Sequence, residues 1–353
     1  MAGRRRRDRR RLPRGVGLSA PLVLIDADVL GRQRTGDETY VEQLLRTLPA
    51  AAEDLRIAAV TRRPDLVPNG VEPVLLSGRV QELRMAWRLP RLLRRVRPAV
   101  GHFIHSLPLA CPVAAVVTIQ DLSWEREPSV MGRADRWTFK LVVPRAARRA
   151  AKVIAISERT RDDLVELYGI PPEKIVVTSL GFDPAFRPAE NGHDPYLLFV
   201  GAIEPRKDPL AAADAARAVG RQLVVVGPTK DEALAAELCS RGAELRGYVP
   251  KDELVRLYQR AAALVFPSRY EGFGLPLLEA MASGTPVVAA PDAALREVAG
   301  DAAVFTRDFA DGVRRVLADR ARLAAASVER ARAFSWEDTA RRTADVYREV
   351  ISL

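Results

Sequence analysis

The sequence predicts an α/β protein built from two parallel-sheet domains. Three observations carry this. The chain has 353 residues, more than one hydrophobic core usually organises. Short β-branched runs alternate with longer Ala/Leu/Arg-rich stretches, the pattern of parallel strands joined by crossover helices. That series also runs twice, with a proline-containing segment between the two.

In the first series, strands are predicted near Leu22–Asp26, Arg56–Val60, Pro73–Leu76, His102–His105, Ala115–Ile119, Lys152–Ile156 and Ile175–Thr178. The segment Asp183–Asp194, with Pro184, Pro188 and the adjacent Pro195, has the composition of a linker. The second series reads Tyr196–Val200, Gln222–Val226, Glu244–Arg246, Ala263–Phe266, Pro286–Ala289 and Ala303–Phe305. A final helix near Trp336–Ile351 places Ala340, Ala344, Tyr347 and Ile351 where they can pack on a surface. In such sheets ligands bind at the carboxyl ends of the strands, so a cleft between the two series is expected.

Composition narrows the function classes. Hydrophobic residues make up 48% and charged residues 28%, which suits a globular chain with a real core. No apolar stretch is long enough to span a bilayer. Arginines followed by Pro21–Ile25 imitate a signal peptide, but Asp26 and Asp28 break the apolar run, so a cytoplasmic protein is expected. Cys111 and Cys239 lack metal-ligand spacing and are expected to be buried free thiols. His102, His105 and His193 are too scattered for a zinc site, and no metal is expected.

The net charge of +10 is concentrated: residues 1–14 hold eight Arg and one Asp. That run reads as a solvated, disordered tail with some attraction for anionic lipid or nucleic acid. Arg84–Arg97 and Arg133–Lys152 interleave Arg with Leu, Trp and Val. They read as helices with one cationic face, which favours peripheral contact with the inner face of an anionic membrane over nucleic acid.

The chemistry concentrates in Phe266-Pro-Ser-Arg-Tyr-Glu-Gly-Phe-Gly-Leu-Pro-Leu-Leu-Glu279. The segment leaves a buried strand, passes two glycines and enters a helix at Pro276, where the missing N–H costs nothing. Gly272 and Gly274 allow close backbone approach to a ligand, and a helix start offers free N–H groups and a positive dipole end. Glu271 and Glu279 flank this anion seat and can accept hydrogen bonds from hydroxyls at opposite ends of one diphosphate-linked ligand. A bare strand–loop–helix junction with incidental glutamates is the competing reading.

This segment closely resembles glycosyltransferase family 4, the retaining enzymes of the GT-B fold, whose hallmark is two Glu separated by seven residues. The resemblance implies two Rossmann-like domains facing across a cleft. It implies that Glu279 holds the donor ribose, while Glu271 and the backbone of Phe273, Gly274 and Leu275 hold the transferred sugar and its diphosphate. A second family motif is matched by Phe199-Val-Gly-Ala-Ile-Glu-Pro-Arg-Lys207, with Gly201 at a sharp loop. Arg206 and Lys207 then stabilise charge developing on the leaving diphosphate in place of a metal, with Glu271 completing the catalytic set. Leu245-Arg-Gly-Tyr-Val-Pro-Lys-Asp-Glu-Leu254 resembles the base-binding loop, which brings Tyr248 and Val249 to the nucleobase. Gly31-Arg-Gln-Arg-Thr-Gly-Asp-Glu-Thr-Tyr40 resembles the glycine loop that closes over the diphosphate, which brings Gly36 to the cleft.

The implied organisation is a basic tail at 1–18, an acceptor domain at 19–184, a nucleotide-sugar donor domain at 185–333, and a helix at 334–353 returning to the first domain. In Val117-Thr-Ile-Gln-Asp-Leu122, Gln120 stands where the family commonly has His. Gln can donate to or accept from a hydroxyl but cannot act as a general base. Gln120, Asp121 and His105 are the acceptor-side candidates. The form Ile-Glu-Pro-Arg-Lys resembles mannosyl- and rhamnosyl-type enzymes, pointing to GDP-mannose as donor and a lipid-linked or cell-envelope glycan as acceptor.

Two decoys are set aside. Gly15-Val-Gly-Leu-Ser-Ala20 precedes the first strand instead of following it, so it fails as a dinucleotide loop. Asp26-Ala-Asp28 looks like a metal-binding Asp-x-Asp but has no partner motif, which argues for a structural or acceptor role. The remaining rivals are an epimerase or phosphorylase of the same architecture, and a non-catalytic protein that binds nucleotide sugar or nucleic acid.

Overall fold

The computed structural model describes residues 20–32, 35–78, 80–127, 132–189 and 192–353. The arginine-rich run at 1–14 lies outside them. Among the described residues thirteen strands form two sheets. The first takes β1 (Leu22–Asp26), β2 (Arg56–Thr61), β3 (Glu72–Leu75), β4 (Val100–Ile104), β5 (Ala115–Ile119), β6 (Lys152–Ala155) and β7 (Ile175–Val177) in the order 3-2-1-4-5-6-7. The second takes β8 (Leu197–Val200), β9 (Leu223–Val226), β10 (Glu244–Gly247), β11 (Ala263–Phe266), β12 (Val287–Ala289) and β13 (Val304–Phe305) in the order 10-9-8-11-12-13. Both orders are doubly wound. The central strands β5, β8, β9 and β11 are buried along their whole length, which is why they read as unbroken apolar runs.

The described residues group into two compact units. Unit 1 runs to Thr118 and takes in Arg145–Ile154 and Trp336–Leu353; unit 2 holds Ile119–Pro144 and Ala155–Ser335. The core of unit 2 packs Leu197, Phe199, Val225 and Val265 of the sheet against Leu238 and Val313 of its helices.

In unit 1 the final helix, Trp336–Ser352, buries Trp336, Ala340, Ala344, Val346, Tyr347 and Val350. Ile351, expected on that face, is only half-buried, and Val350 takes its place. The Tyr347 hydroxyl meets His102 Nδ1 at 2.6 Å, and His102 Nε2 meets Thr118 Oγ1 at 2.7 Å. Burial pulls His102 down to about 3, so the ring is neutral and serves as a polar pin within the core.

Three expectations change. Arg84 does not join a cationic face; it is fully buried, pairing with Asp26 through Nη1 at 2.9 Å and with Asp28 through Nε at 3.7 Å. Asp26-Ala-Asp28 is thereby committed to ion pairs, with Arg62 also on Asp28 at 2.8 Å. The helical run is continuous from Gln81 to Val96 but adopts π geometry at Arg84–Arg88. Finally, neither cysteine is buried: Cys111 is half-buried and Cys239 exposed. Cys239 lies on the solvent side of the helix Glu232–Ser240, whose inward face is Ala235 and Leu238.

Candidate active site

In the second sheet the winding reverses between β8 and β11, which pair in parallel with Leu198 opposite Leu264. Loops leaving two such strands diverge and open a crevice at their carboxyl ends. Both loops singled out by sequence start there. After β8 the chain passes Gly201 and forms a single turn at Pro205–Lys207. After β11 it runs through Tyr270–Gly274 into the helix Leu275–Ala282. The loops are tied together by the Arg269 N–H, which donates to the Arg206 carbonyl at 3.0 Å.

Charged side chains cluster where the loops meet. Lys207 Nζ donates to Glu271 Oε1, and Arg206 Nη1 lies 3.6 Å from Glu271 Oε2. Arg206 also donates to the Tyr270 carbonyl at 2.5 Å and to Glu204 Oε1 at 2.9 Å, while Lys230 reaches Glu204 Oε2 at 2.8 Å. Burial alone would raise the Glu271 carboxyl, but Lys207 and Arg206 outweigh it and hold the group below its ordinary value. Asp121 also acts on Arg206, so Arg206, Lys207 and Lys230 face Glu271, Glu204 and Asp121; Arg206, Lys207, Glu204 and Glu271 are mostly shielded from water, whereas Lys230 is exposed. Beside this cluster the helix Leu275–Ala282 starts with no side-chain cap, at Gly274 with φ of 100°. A non-glycine residue would be strained there, and the uncapped N–H groups suit an anion.

Gln120 and Asp121 belong to the same unit as these motifs. A Cβ on Gly272 would lie 2.2 Å from the Gln120 carbonyl oxygen and 2.8 Å from Asp121 Cβ, so only glycine permits the contact. The Gln120 carbonyl accepts from Thr160 Oγ1 at 3.1 Å, and the Gly272 carbonyl accepts from Ser157 Oγ at 2.6 Å. Gln120 is buried, and its Nε2 has no protein partner. An orphaned buried donor is costly unless a ligand satisfies it. Gly272→Ala is expected to cost about 1–3 kcal/mol, because a backbone oxygen cannot rotate away as a side chain can. Thermal unfolding of the variant measures this.

Other predicted residues fall elsewhere. Gly36 is the second residue of the helix Thr35–Ala51 and is exposed, so it sits on a first helical turn rather than in a loop. His105 follows β4 with φ of 58°, its Nε2 3.6 Å from Asp37. Both lie in unit 1. Tyr248 is exposed and Val249 buried on the loop after β10. Among the described residues no group of three or more His, Cys, Asp or Glu is arranged to hold a metal ion.

Residues 34–186 match the family described as Glycosyltransferase Family 4, and residues 184–334 match Glycosyl transferases group 1. The chain belongs to glycosyltransferase family 4. It is 35% identical over 243 residues to the D-inositol 3-phosphate glycosyltransferase of Frankia alni, spanning 58% of this chain and 60% of that one. It is 32% identical over 267 residues to an MMP alpha-(1->4)-mannosyltransferase of Mycolicibacterium hassiacum, spanning 67% of this chain and 62% of that one. The matches thus span under two thirds of the curated relatives' length. The fold is GT-B: sucrose-phosphate synthase of Thermosynechococcus elongatus superposes with a TM-score of 0.73 at 20% identity, covering 94% of this chain and 99% of that one.

In this family 4 chain the second glutamate of the motif is less free than a helix-surface residue. Glu279 is half-buried and accepts from the Tyr258 hydroxyl at 2.9 Å. Burial pushes its carboxyl up to about 7, against the lowering effects of Tyr258 and Lys251. Sequence reasoning also gave no role to Tyr270 or Asp163. The Tyr270 hydroxyl donates to Asp163 Oδ2 at 2.8 Å and accepts from the Leu122 N–H at 3.0 Å, which clamps the loop after β5 onto the glycine loop. Asp163 is held in turn by Arg126 at 2.6 Å and Arg159 at 3.1 Å. Glu204 lay inside a recognised motif; Asp163 and Tyr258 carried no local signal.

Proposed function

We propose that the chain transfers a hexose, mannose by preference, from a nucleoside-diphosphate sugar to a glycan or lipid-linked acceptor of the cell envelope. Transfer proceeds with retention and without a metal. The observation that carries the reading is the Arg206–Lys207–Glu271 cluster beside an uncapped helix start, at the winding reversal of a parallel sheet. The C1–O bond to the diphosphate breaks while the acceptor oxygen bonds to C1 on the same face. The acceptor proton passes to the departing phosphate oxygen. Charge grows on the diphosphate as that bond stretches, and fixed cations with the Gly274 and Leu275 N–H groups are already in position to stabilise it. Glu279 accepts from the ribose, Glu271 from the sugar, and the backbone at Tyr248 and Val249 meets the base. The mannosyltransferase name of the Mycolicibacterium relative supports the sugar, and GDP-mannose is the donor to test first.

Two checks arise here. Turnover is expected to persist in excess EDTA, because cationic side chains stand where a metal would neutralise the diphosphate; loss of turnover restored by a divalent ion would remove that element. Gln120 is expected to orient a hydroxyl, so Gln120→Ala should cost about 0.5–1.5 kcal/mol in transition-state stabilisation. A non-catalytic binding protein is the second reading, favoured by Gln120 in the place of His. It predicts tight donor binding without turnover in wild type, and turnover appearing in Gln120→His.

A further inference from the structure

The helical run 81–96 presents an outward face that the cluster in unit 2 does not use. Its inward side is anchored by buried Leu89, Leu92 and Leu93, and by Arg84 sealed against Asp26. Outward it carries Leu83 and Trp87, one turn apart and 53% and 58% exposed. Val80 precedes them at 48% exposure, and Leu109, 64% exposed, is pinned alongside by its N–H to the Met85 carbonyl at 3.2 Å.

The same face continues into charge. Arg88, Arg91, Arg94, Arg95 and Arg97 are all exposed, and among the described residues none pairs with a carboxylate. Glu82 is the single acidic residue between 81 and 97. Exposed arginines elsewhere commonly have partners, as in Arg46–Glu42, Arg161–Glu158 and Arg256–Asp252. The Arg91 guanidinium instead lies 5.2 Å from the Trp87 ring centroid. Clustered unpaired cations repel one another, and apolar side chains gathered in water gain nothing there. Both are relieved by a surface with hydrocarbon beneath a layer of negative charge. Nucleic acid offers the charge but no hydrocarbon layer for Leu83, Val80 and Leu109.

We propose that Val80–Arg97 docks the chain on an anionic phospholipid bilayer. Leu83 and Trp87 enter the boundary between headgroups and acyl chains, and the arginines meet lipid phosphates. The helix Arg133–Arg149 repeats the chemistry, with Trp137 and Leu141 one turn apart and 67% and 64% exposed. This inference goes beyond sugar transfer and is tested without any sugar donor.

The experiment is co-sedimentation of the full chain with phosphatidylcholine vesicles containing or lacking phosphatidylglycerol. Binding is expected only with phosphatidylglycerol present. R91E/R94E/R95E should weaken it by about tenfold or more, and L83S/W87S should weaken it with no change of charge. R217E/R256E/R322E on unit 2 changes net charge equally and should bind like wild type; unfolding curves establish that each variant folds. Wild-type binding by both patch variants would overturn the proposal and assign the affinity to the arginines of residues 1–14. Equal loss in the unit 2 control would reduce it to net charge. Unchanged lipid binding by L83S/W87S, with loss of DNA retention in the arginine variant, would point to nucleic acid instead.

Discussion

Replacing Arg206 and Lys207 together with Ala is expected to lower turnover by about a thousandfold or more, the order associated with losing preorganised charge at a developing anion. Stability should fall as well, contrary to what an exposed basic turn would give. Arg206 and Lys207 are 11% and 12% exposed and both face Glu271, so the double variant strands a carboxylate away from water. Removing the partners of such a group costs about 3–5 kcal/mol. Adding Glu271→Gln to the double variant separates the two effects. The stranded charge disappears and the unfolding temperature should recover, while the rate per folded molecule should not. If the folded double variant turns over within about tenfold of wild type, the cations have no part in the chemistry.

Donor affinity is expected to rise with pH through about 7, the value to which burial pushes the Glu279 carboxyl. An ionised Glu279 accepts ribose hydroxyls with both oxygens, whereas the protonated form keeps an O–H that must itself be satisfied. If only the ionised form binds, affinity falls about tenfold for each unit below that value. Glu279→Gln should flatten the profile, and Glu279→Ala should weaken binding at every pH and leave the buried Tyr258 hydroxyl without its acceptor. Stability runs the other way. The folded value lies above the unfolded one, so the contribution is fully present below the ordinary glutamate range and is lost as pH rises through about 7. That loss is on the order of 2–3 kcal/mol and should be absent in Glu279→Gln. Calorimetry with a bound nucleotide sugar, one unit either side of pH 7, reads the first effect, and unfolding followed from below the ordinary glutamate range to above pH 7 reads the second. A flat wild-type binding profile would remove Glu279 from the ribose.

The strands were readable because parallel strands covered on both faces are apolar throughout, and β-branched runs such as Leu223–Val226 admit little else. The cluster was readable for a different reason: Glu271, Gly274 and Glu279 lie in one contiguous stretch, and Arg206 and Lys207 in another. What escaped were contacts made at long range. Arg84 looks like its neighbours in an arginine-rich helix, and Asp26, 58 positions away, together with Asp28 makes it a core residue. Gly272 reads as a loop glycine, yet its necessity comes from the Gln120 carbonyl. Tyr258 and Asp163 fix Glu279 and Tyr270 from segments with no motif of their own. Cys239 was misjudged because helix phase decides which side of a turn faces water.

The central claim is that the loops after β8 and β11 form the donor site of a working transferase. The most direct measurement is nucleoside diphosphate release from a panel of nucleotide sugars, with and without a glycan acceptor, for wild type and the Arg206/Lys207 double variant. The account predicts slow release from one donor alone, faster release when acceptor is present, and near-complete loss in the double variant while its folded fraction is still measurable. A wild type that binds a nucleotide sugar tightly yet releases no diphosphate with any acceptor, beside a Gln120→His variant that does, would contradict it.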